Sequence, residues 1–364
     1  MRSVCEIDKC NGCMACVERC PKQCITIKDE ITSFNAVVDS TQCINCKLCE
    51  RICPNISSIE KRKPESWYQG WALHDIRQMS TSGGAATAIM KSFILQGGYV
   101  ASCLFCNGEF SFEITNDLTR LEKFAGSKYV KSNPRGIYKK IEDRLRTDKV
   151  LFVGLPCQVA AVNKVITNKN NLYTIDLICH GTPSIFVLSR YLREKGYEIA
   201  QISDLRFRNK VDMGLHIDGK KITASRVMDD YTCSFLSSIN YTENCYSCKF
   251  ATIERVSDIT LGDSWGTELN EEKKNGISLI LCQTEKGKKL ISNANLELRD
   301  VELNNAIKNN HQLEYPSVRT AKRDKFLAMI KRGKPYKYAT FICLPQMVIK
   351  QKIKHVLIKL KVMH

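Results

Sequence analysis

Short apolar runs and amphipathic segments alternate through the centre of the chain, from about residue 67 to residue 299. Apolar runs of about four to eight residues are typical of buried strands, and apolar residues three and four apart predict helices. Strands are predicted at residues 99–105, 150–153 and 172–178, and helices at residues 85–96, 136–146, 158–166 and 184–195. The order predicts an α/β domain with a largely parallel sheet, interrupted by a hairpin that turns at Asp218 and Gly219.

The C-terminal segment has a different pattern, in which lysines alternate with apolar residues at helical spacing. Residues 305–364 contain 14 Lys and Arg but only 2 Asp and Glu, a net charge of +12. The apolar positions of residues 346–364 are Val348, Ile349, Ile353, Val356, Leu357 and Leu360. The preferred interpretation is a helix packed on the domain with its lysines in water, and the alternative is an amphipathic helix on an anionic membrane. We expect no nucleic-acid partner, because we see no aromatic platform interleaved with this charge.

Cysteine is unusually frequent, with 19 in 364 residues. No apolar run is long enough to span a bilayer, and the first ten residues lack the apolar core of a signal peptide. A cytoplasmic location is therefore expected, with the inner face of the membrane as a peripheral alternative. Thiols stay reduced in the cytoplasm, so the cysteines are predicted to hold metal rather than to form disulfides.

Two near-copies of one cysteine motif, C-x2-C-x2-C-x3-C-P, open the chain. This is the spacing of bacterial ferredoxins with two [4Fe-4S] clusters, in which the fourth cysteine of each motif ligates the other cluster. One cluster is predicted on Cys10, Cys13, Cys16 and Cys53, and the other on Cys43, Cys46, Cys49 and Cys20. Zinc is the alternative, but zinc sites take four ligands rather than eight in a double pattern. Cys5 and Cys24 fall outside the motif and are predicted to be small apolar core residues.

Four further cysteines lie at positions where a metal site could form. Cys157 and Cys179 each follow the carboxyl end of a predicted strand, the edge at which α/β sheets bind ligands. Cys245 and Cys248 form a separate pair in a loop. From spacing alone, two interpretations stay open. Either all four hold a third [4Fe-4S] cluster, or the first pair are structural thiols and the second pair binds zinc or nothing.

Two weaker signals lie in the same domain. Cys103 and Cys106 are a poorer chelating pair, because residues three apart on a strand face opposite sides. Ser82, Gly83 and Gly84 precede a predicted helix, whose free N–H groups would bind phosphate. A simple N-cap with a flexible turn is the more common meaning of that pattern.

Six segments in a fixed order resemble one known family. They are residues 82–84 (SGG), 126–129 (GSKY), 150–158 (VLFVGLPCQ), 176–183 (DLICHGTP), 245–251 (CYSCKFA) and 258–266 (DITLGDSWG). Together they closely resemble the beta subunit family of coenzyme F420 hydrogenase/dehydrogenase, which includes plant 7-hydroxymethyl chlorophyll a reductase. The resemblance covers about residues 67–300.

The resemblance implies an iron–sulfur oxidoreductase that binds FAD. By resemblance, FAD would be held by residues of the first two segments: Ser82, Gly83, Gly84, Gly126, Ser127, Lys128 and Tyr129. Lys128 would neutralise phosphate or flavin charge. The third cluster would be held by Cys157, Cys179, Cys245 and Cys248.

Four polar residues of the same region have two interpretations each. His180 is a candidate proton donor beside the flavin, although a loop histidine bonded to the backbone is preferred. Arg206, Arg208 and Lys210 either meet an anionic substrate or form a solvated basic strand.

Three regions follow from these patterns: a ferredoxin-like domain at residues 1–60, an α/β flavin-binding domain at residues 67–300 and a basic helical region at residues 301–364. A polar linker at residues 56–66 separates the first two. The fused ferredoxin-like domain and the long basic C-terminus depart from hydrogenase beta subunits, which leaves the substrate of the family in doubt here.

Two functions are therefore considered. The first is an oxidoreductase that passes electrons between the clusters and FAD, with hydride exchange to an organic substrate or a deazaflavin-like coenzyme. The alternative is an electron-transfer or adaptor subunit without its own substrate. It would serve a polysaccharide-related pathway, because fused forms of the family also occur beside genes for surface polysaccharide. Either function needs a redox partner protein, such as a ferredoxin or another oxidoreductase subunit.

Overall fold

A three-stranded antiparallel sheet and two short helices form the N-terminal domain. The computed structural model describes residues 2–360. The elements of this domain are β1 (Arg2–Ser3), α1 (Ala15–Arg19), β2 (Ile25–Asp29), β3 (Phe34–Val38) and α2 (Leu48–Arg51). β3 lies between β1 and β2. Its buried side chains, among them Phe34, Ala36 and Val38, pack against cysteines of the two motifs.

The remaining strands and helices are numbered in chain order. The strands are β4 (Ser66–Ala72), β5 (Tyr99–Cys106), β6 (Glu109–Thr115), β7 (Val150–Gly154), β8 (Leu172–Leu177), β9 (Leu205–Asn209), β10 (Asp212–Ile217), β11 (Lys220–Lys221), β12 (Ile259–Asp263), β13 (Ser278–Cys282) and β14 (Leu296–Arg299). The helices are α3 (His74–Met79), α4 (Ala85–Leu95), α5 (Leu121–Phe124), α6 (Ile137–Arg144), α7 (Pro156–Val165), α8 (Ile185–Glu194), α9 (Asp230–Leu236), α10 (Glu285–Asn293), α11 (Leu303–Asn309), α12 (Ala321–Lys331), α13 (Tyr336–Cys343) and α14 (Pro345–Lys359). The seven strands and helices predicted in the central region are therefore present, with ends shifted by at most two residues.

The large domain is built on an eight-stranded mixed sheet with the order β14-β4-β13-β12-β8-β7-β5-β6. Only its centre is parallel, in the pairs β12–β8, β8–β7 and β7–β5. The outer pairs are antiparallel, so the prediction of a largely parallel sheet is wrong for the flanks. One cause is the turn at Asn107 and Gly108, both with positive φ, which folds β6 directly back onto β5.

Side chains of the central strands alternate between two cores. On β7, Val150 and Phe152 face one side of the sheet, where α6 and α7 pack. Leu151 and Val153 face the other side, where α4 and α10 pack. This two-residue period explains why the strand reads as a continuous apolar run: both of its faces are covered.

A smaller antiparallel sheet, β11-β10-β9, lies apart from the main one. Asp218 and Gly219 both have positive φ and form the two-residue turn between β10 and β11, as the sequence predicts. Its inner face packs with helices α8, α12 and α13 in a third core. No helix among residues 2–360 is long and apolar enough to cross a membrane.

A buried ion pair joins three parts of the chain. The Arg255 guanidinium donates to the Asp176 carboxylate of β8 at 2.8 Å, and these side chains are 1% and 0% exposed. It also donates to the backbone oxygens of Phe250 (3.0 Å) and Thr252 (3.3 Å), just after the Cys245–Cys248 loop. The backbone of Arg255 pairs with that of Arg62, in the segment predicted as a linker. The loop and the linker are thereby fixed to the centre of the sheet.

We predict that Asp176→Asn strongly destabilises the protein, because it leaves the buried Arg255 charge without a counterion. The expected loss in the free energy of unfolding is about 3–5 kcal/mol. A urea titration of the anaerobic holoprotein, followed by circular dichroism, would measure it. The control is Asp143→Asn, which breaks the exposed pair with Arg146 and should cost about 0–1 kcal/mol. Equal losses in the two variants would contradict the prediction.

Candidate functional site

The first predicted cluster set is gathered and buried. Cys10 and Cys13 lie in the loop before α1, Cys16 lies in its first turn, and Cys53 follows α2. Burial raises the pKa of the Cys13 thiol, and the neighbouring thiols of this set add to the increase. Gly12 adopts φ of +68° there, and its amide donates to the Cys10 sulfur at 3.4 Å. Four sulfur atoms on one small loop and the end of a helix have the donor chemistry that a [4Fe-4S] cluster requires.

The second predicted set lies closer to the surface. Cys46 is exposed, while Cys20, Cys43 and Cys49 are half-buried. Burial raises the pKa of Cys49, and the Cys20 thiol contributes to the increase, which shows that the two residues are close. The N-terminal domain therefore has one buried and one accessible cysteine set.

Two cysteines outside the motifs lie beside these sets, which the spacing did not reveal. The Cys24 sulfur is 3.4 Å from that of Cys20. Cys5 hydrogen-bonds to Cys10 and Cys53, which raises the pKa of Cys5 and lowers the pKa of both partners. Both are buried, as predicted for small apolar residues, but their neighbours are the predicted ligands. The sequence signal that could have located them is position alone, since each lies within five residues of a motif.

Four cysteines of the large domain form a separate group. Cys157 lies in the first turn of α7, Cys179 follows β8, and Cys245 and Cys248 lie in and after a short 3-10 helix. Burial raises the pKa of the Cys179 thiol well above its usual value, and the other three thiols raise it further. The Thr182 amide donates to the Cys245 sulfur at 3.4 Å. The fold thus brings these four residues together from three distant parts of the sequence.

A tyrosine and a lysine lie between the buried N-terminal set and this second group. The Tyr138 hydroxyl donates to the backbone oxygen of Cys13. Burial raises the Tyr138 pKa, and both Cys13 and Cys157 add to the increase. All three side chains pack in the same core. Burial raises the pKa of Cys157 to about 12, and the Lys131 ammonium opposes that shift. A hydrogen bond from Cys5 is the main cause of the lowered pKa of Cys10, and the Lys131 ammonium lowers that pKa further.

Cys103 and Cys106 are separated by the sheet. Cys103 packs with the cores on one side of β5 and Cys106 with the core on the other, as the strand period predicts. Within residues 2–360, no three His, Cys, Asp or Glu side chains have the arrangement of a site for a single metal ion.

A cavity of about 370 Å³ opens at the carboxyl ends of the central strands. β7 lines it with Gly154, β8 with Leu177 and β12 with Asp263, and the first turns of α4 and α7 complete this wall. The volume is within the range of about 300–1,000 Å³ that small-molecule sites occupy. Cys179 and His180 also line it, so the cavity borders the second cysteine group.

Six of the seven residues expected to hold FAD line this cavity: Ser82, Gly84, Gly126, Ser127, Lys128 and Tyr129. Gly83 instead packs against the sheet, where a Cβ would lie 2.5 Å from the backbone oxygen of Gly70 and 2.6 Å from the backbone nitrogen of Ser278. Gly84 ends the loop with φ of +86° as the N-cap of α4. The loop therefore needs glycine at position 83 for close packing and at position 84 for the turn.

Lys128 has partners other than a phosphate. Its Nζ donates to the backbone oxygens of Phe124 at 2.6 Å, Ala125 at 3.0 Å and Lys123 at 3.5 Å. These carbonyls end helix α5, where a cation is favoured. Burial lowers the pKa of Lys128 to about 8. The ammonium is thus engaged by the protein itself, although the side chain still lines the cavity.

Side chains hold His180 at its ring and at its backbone oxygen, which accepts from Ser317 Oγ at 2.6 Å. Its ring Nδ1 is 2.7 Å from Gln312 Nε2, which is also 2.7 Å from His311 Nε2. Gln312 Oε1 is buried without a partner, so this contact is compatible with either orientation of the Gln312 amide and with either tautomer of the His180 ring. Burial lowers the His180 pKa to about 4, and His311 adds to that effect. His180 is therefore a neutral ring at the cavity wall, and no sequence motif pointed to Gln312.

Arg208 is the fixed positive charge of the cavity. It is buried, and its Nη2 donates to Asp263 Oδ1 at 2.8 Å, while its Nε has no partner. Arg206 instead pairs with Asp204 (3.0 Å) and Glu122 (3.4 Å). Lys210 donates to the backbone oxygens of Arg77 and Ser82. The interpretation as a solvated basic strand is therefore wrong for Arg208 and Lys210, because the strand packs against the cavity wall.

Comparison with known proteins identifies both parts of the chain. Residues 9–56 match the 4Fe-4S dicluster domain. Residues 147–306 match the family described as the C terminus of the coenzyme F420 hydrogenase/dehydrogenase beta subunit. Residues 147–306 belong to the F420 hydrogenase/dehydrogenase beta subunit family. This matched region contains all four cysteines of the second group, together with His180 and Arg208.

Two curated proteins of Methanocaldococcus jannaschii are similar in sequence. An uncharacterised protein is 23% identical over 239 residues, 53% of this chain and 65% of that protein. A coenzyme F420-dependent sulfite reductase is 24% identical over 319 residues, 80% of this chain and 46% of that protein. The chain spans less than two thirds of either relative. A chain of the F420-reducing [NiFe] hydrogenase complex from Methanosarcina barkeri has a TM-score of 0.48 and 16% identity, covering 78% of this chain and 100% of that chain.

These matches confirm the predicted dicluster domain and the predicted family. The chain is therefore similar to iron–sulfur proteins at residues 9–56 and to a subunit family of oxidoreductases at residues 147–306. The individual cluster ligands, the third cluster and FAD stay predictions.

Cys46→Ala should remove one ligand of the accessible cluster. We expect the iron content to fall by about four atoms per chain, because a [4Fe-4S] cluster needs four protein ligands. Iron and acid-labile sulfide of the anaerobically purified protein would measure this loss. Cys24→Ser is the control and should retain its iron. Equal loss in the Cys24 variant would mean that the ligand set has been assigned incorrectly.

Proposed function

We propose that the protein is an iron–sulfur flavoprotein oxidoreductase, in which a third [4Fe-4S] cluster links the dicluster domain to FAD. The observation that carries this proposal is the position of the second cysteine group. Cys157 lies near Tyr138, which contacts the buried N-terminal set, and Cys179 borders the cavity. Four thiols between an electron carrier and a cavity are in the position that an intermediate carrier requires.

The accessible cluster would be the point of exchange with a redox partner protein, a ferredoxin or another oxidoreductase subunit. Cys46 is the exposed member of its set, so a partner can approach this cluster more closely than the buried one. From there the electron would pass to the cluster held by Cys10, Cys13, Cys16 and Cys53. The Lys131 ammonium, which acts on both Cys10 and Cys157, would stabilise the added negative charge on either side of the next transfer.

The cavity residues fit FAD in three respects. The first turn of α4 presents backbone N–H groups at the cavity wall, which suits a phosphate. Gly126 has φ of +91°, and a Cβ there would meet only Thr81 Cγ2 at 3.8 Å, so its surroundings are open toward a ligand. The unpartnered Nε of Arg208 would suit an electronegative atom of the ring. When bound, FAD would couple one-electron transfer to hydride exchange.

Arg208 and His180 would orient the reacting groups. Asp263 fixes the Arg208 guanidinium, which would favour a ligand atom that gains negative charge. Gln312 holds the His180 ring in place, and with its proton on Nε2 the ring would donate to a carbonyl or an anionic oxygen. These two groups favour an organic substrate with such an oxygen, or a deazaflavin-like coenzyme of the kind named for the curated relative.

A second candidate function is an electron-transfer subunit without its own substrate, of the kind that a polysaccharide-related pathway could use. One observation favours it: more than half of the F420-dependent sulfite reductase lies outside the region matched by this chain. The chemistry of that relative can therefore depend on parts that have no counterpart here.

Cofactor analysis separates the two functions. In the first, the anaerobically purified protein should contain about twelve irons and one FAD per chain, since three clusters and a flavin are needed. About eight irons and no flavin would contradict the proposal and leave the electron-transfer subunit. Ser127→Trp fills the cavity and should abolish FAD binding without changing the iron content. Ser292→Trp, on the exposed face of α10, is the control and should retain both.

Arg208→Gln should lower the reduction potential of the bound flavin, because a fixed positive charge no longer favours its reduced, more negative form. A spectroelectrochemical titration of the holoprotein would measure the shift. Arg206→Gln removes the same charge two residues away, where the side chain pairs with Asp204, and should have a much smaller effect. Equal shifts in the two variants would indicate a general charge effect and would rule out a specific contact.

A further inference from the structure

Helix α14 presents an apolar stripe to solvent. The stripe consists of Ile349, Ile353, Val356 and Leu360, whose side chains are between 46% and 66% exposed. Their spacing of four, three and four residues places them on one face of a helix. Large apolar side chains in a continuous exposed row are typical of an interaction surface.

The opposite face of α14 fixes the orientation of this stripe. Val348 and Gln351 are buried against the domain, and Gln351 Oε1 accepts from the backbone nitrogen of Met228 at 2.9 Å. Ser237 Oγ donates to the Met347 sulfur at 3.5 Å. The preferred interpretation, a helix packed on the domain, therefore holds for the face with Val348 but not for the four residues of the stripe. Their side chains point away from the domain that was expected to cover them.

Lysines flank the stripe, and acidic residues are absent from this part of the sequence. Lys352 and Lys359 lie on one side of the stripe and Lys350 on the other, and all three are exposed. Residues 325–364 contain ten Lys and Arg and no Asp or Glu. A second copy of this surface would be repelled by the same charge, so the pattern disfavours a homodimer through α14.

The neighbouring helix α13 adds two exposed aromatic residues. Tyr338 and Phe341 line a shallow groove together with Val348 of α14. Lys352 Nζ lies 5.7 Å from the centre of the Phe341 ring, which places its charge beside the aromatic face. Aromatic rings and lysines around an apolar stripe are the combination found in helices that lie at a membrane surface.

We infer that this α13–α14 surface, defined by Tyr338, Phe341 and the stripe of α14, binds the surface of an anionic phospholipid bilayer. The helix would lie in the plane of the interface, with the stripe among the acyl chains nearest the headgroups. The flanking lysines can extend their charges to the lipid phosphates while their methylene groups stay against the apolar layer. An acidic protein would also complement the charge of the lysines. However, the apolar side chains form a straight row along the helix with lysines on both sides, and this arrangement fits a flat bilayer surface better than a pocket on a protein.

Vesicle co-sedimentation of the full-length holoprotein tests this inference independently of any flavin or substrate. We expect binding to vesicles of phosphatidylcholine with about a quarter phosphatidylglycerol to be at least about tenfold stronger than to phosphatidylcholine alone, and to weaken with added salt. The double variant Ile353→Asp and Val356→Asp should lose at least about tenfold in affinity.

Two further measurements keep this result unambiguous. The double variant Leu95→Asp and Val318→Asp has the same change of charge at apolar residues that are 65% and 66% exposed elsewhere, and it should bind as tightly as the parent. Unchanged iron content and circular dichroism would show that both variants fold. Equal binding to neutral vesicles, absence of binding, or retained binding by the stripe variant would each overturn the inference. So would a concentration-dependent dimer that only the stripe variant loses.

Discussion

The arrangement of the two cysteine groups and the cavity depends on the buried ion pair between Asp176 and Arg255. A charge pair in the interior stabilises a fold only when its geometry satisfies every donor, and here the guanidinium also binds two backbone oxygens near the Cys245–Cys248 loop. Since Asp176 lies on β8, three residues before Cys179, the pair sets the distance between two parts of the second cysteine group. It also fixes the segment that leads out of the dicluster domain, through the backbone contact with Arg62.

Exposure differs between the cysteine sets along the proposed electron route. The set that contains Cys46 is partly open to solvent, the set that contains Cys13 is buried, and Cys179 is half-buried at the wall of the cavity. Solvent exposure and charge tune the reduction potential of an iron–sulfur cluster, so these differences in burial provide different environments for the same kind of ligand. The same arrangement separates the point of contact with a partner protein from the place where a small molecule would bind.

Local features of the fold could be predicted from the sequence, and contacts between distant residues could not. The cysteine motifs and the strand at residues 150–153 are local features. The spacing of the cysteines and the apolar pattern of the strand depend only on residues that are close in the sequence. The edge strands were not predicted, because their pairing depends on where a later part of the chain comes back to the sheet. The pairing of β14 with β4 is one example. Gln312, which fixes His180, is 132 residues away from it, and no short-range pattern can report such a contact. The sequence left open whether the apolar stripe of α14 is covered, because apolar periodicity predicts a helix face but not whether anything packs on it.

The contact between the dicluster domain and α6 also constrains the order of assembly. Glu18 accepts hydrogen bonds from the backbone nitrogens of Gly136 at 2.8 Å and Lys139 at 2.7 Å, and Tyr138 bonds to the backbone oxygen of Cys13. The loop that holds the first motif is therefore closed over by a helix from a domain made later in translation. Iron and sulfide would therefore reach that loop more easily before α6 docks than after the helix has closed over it.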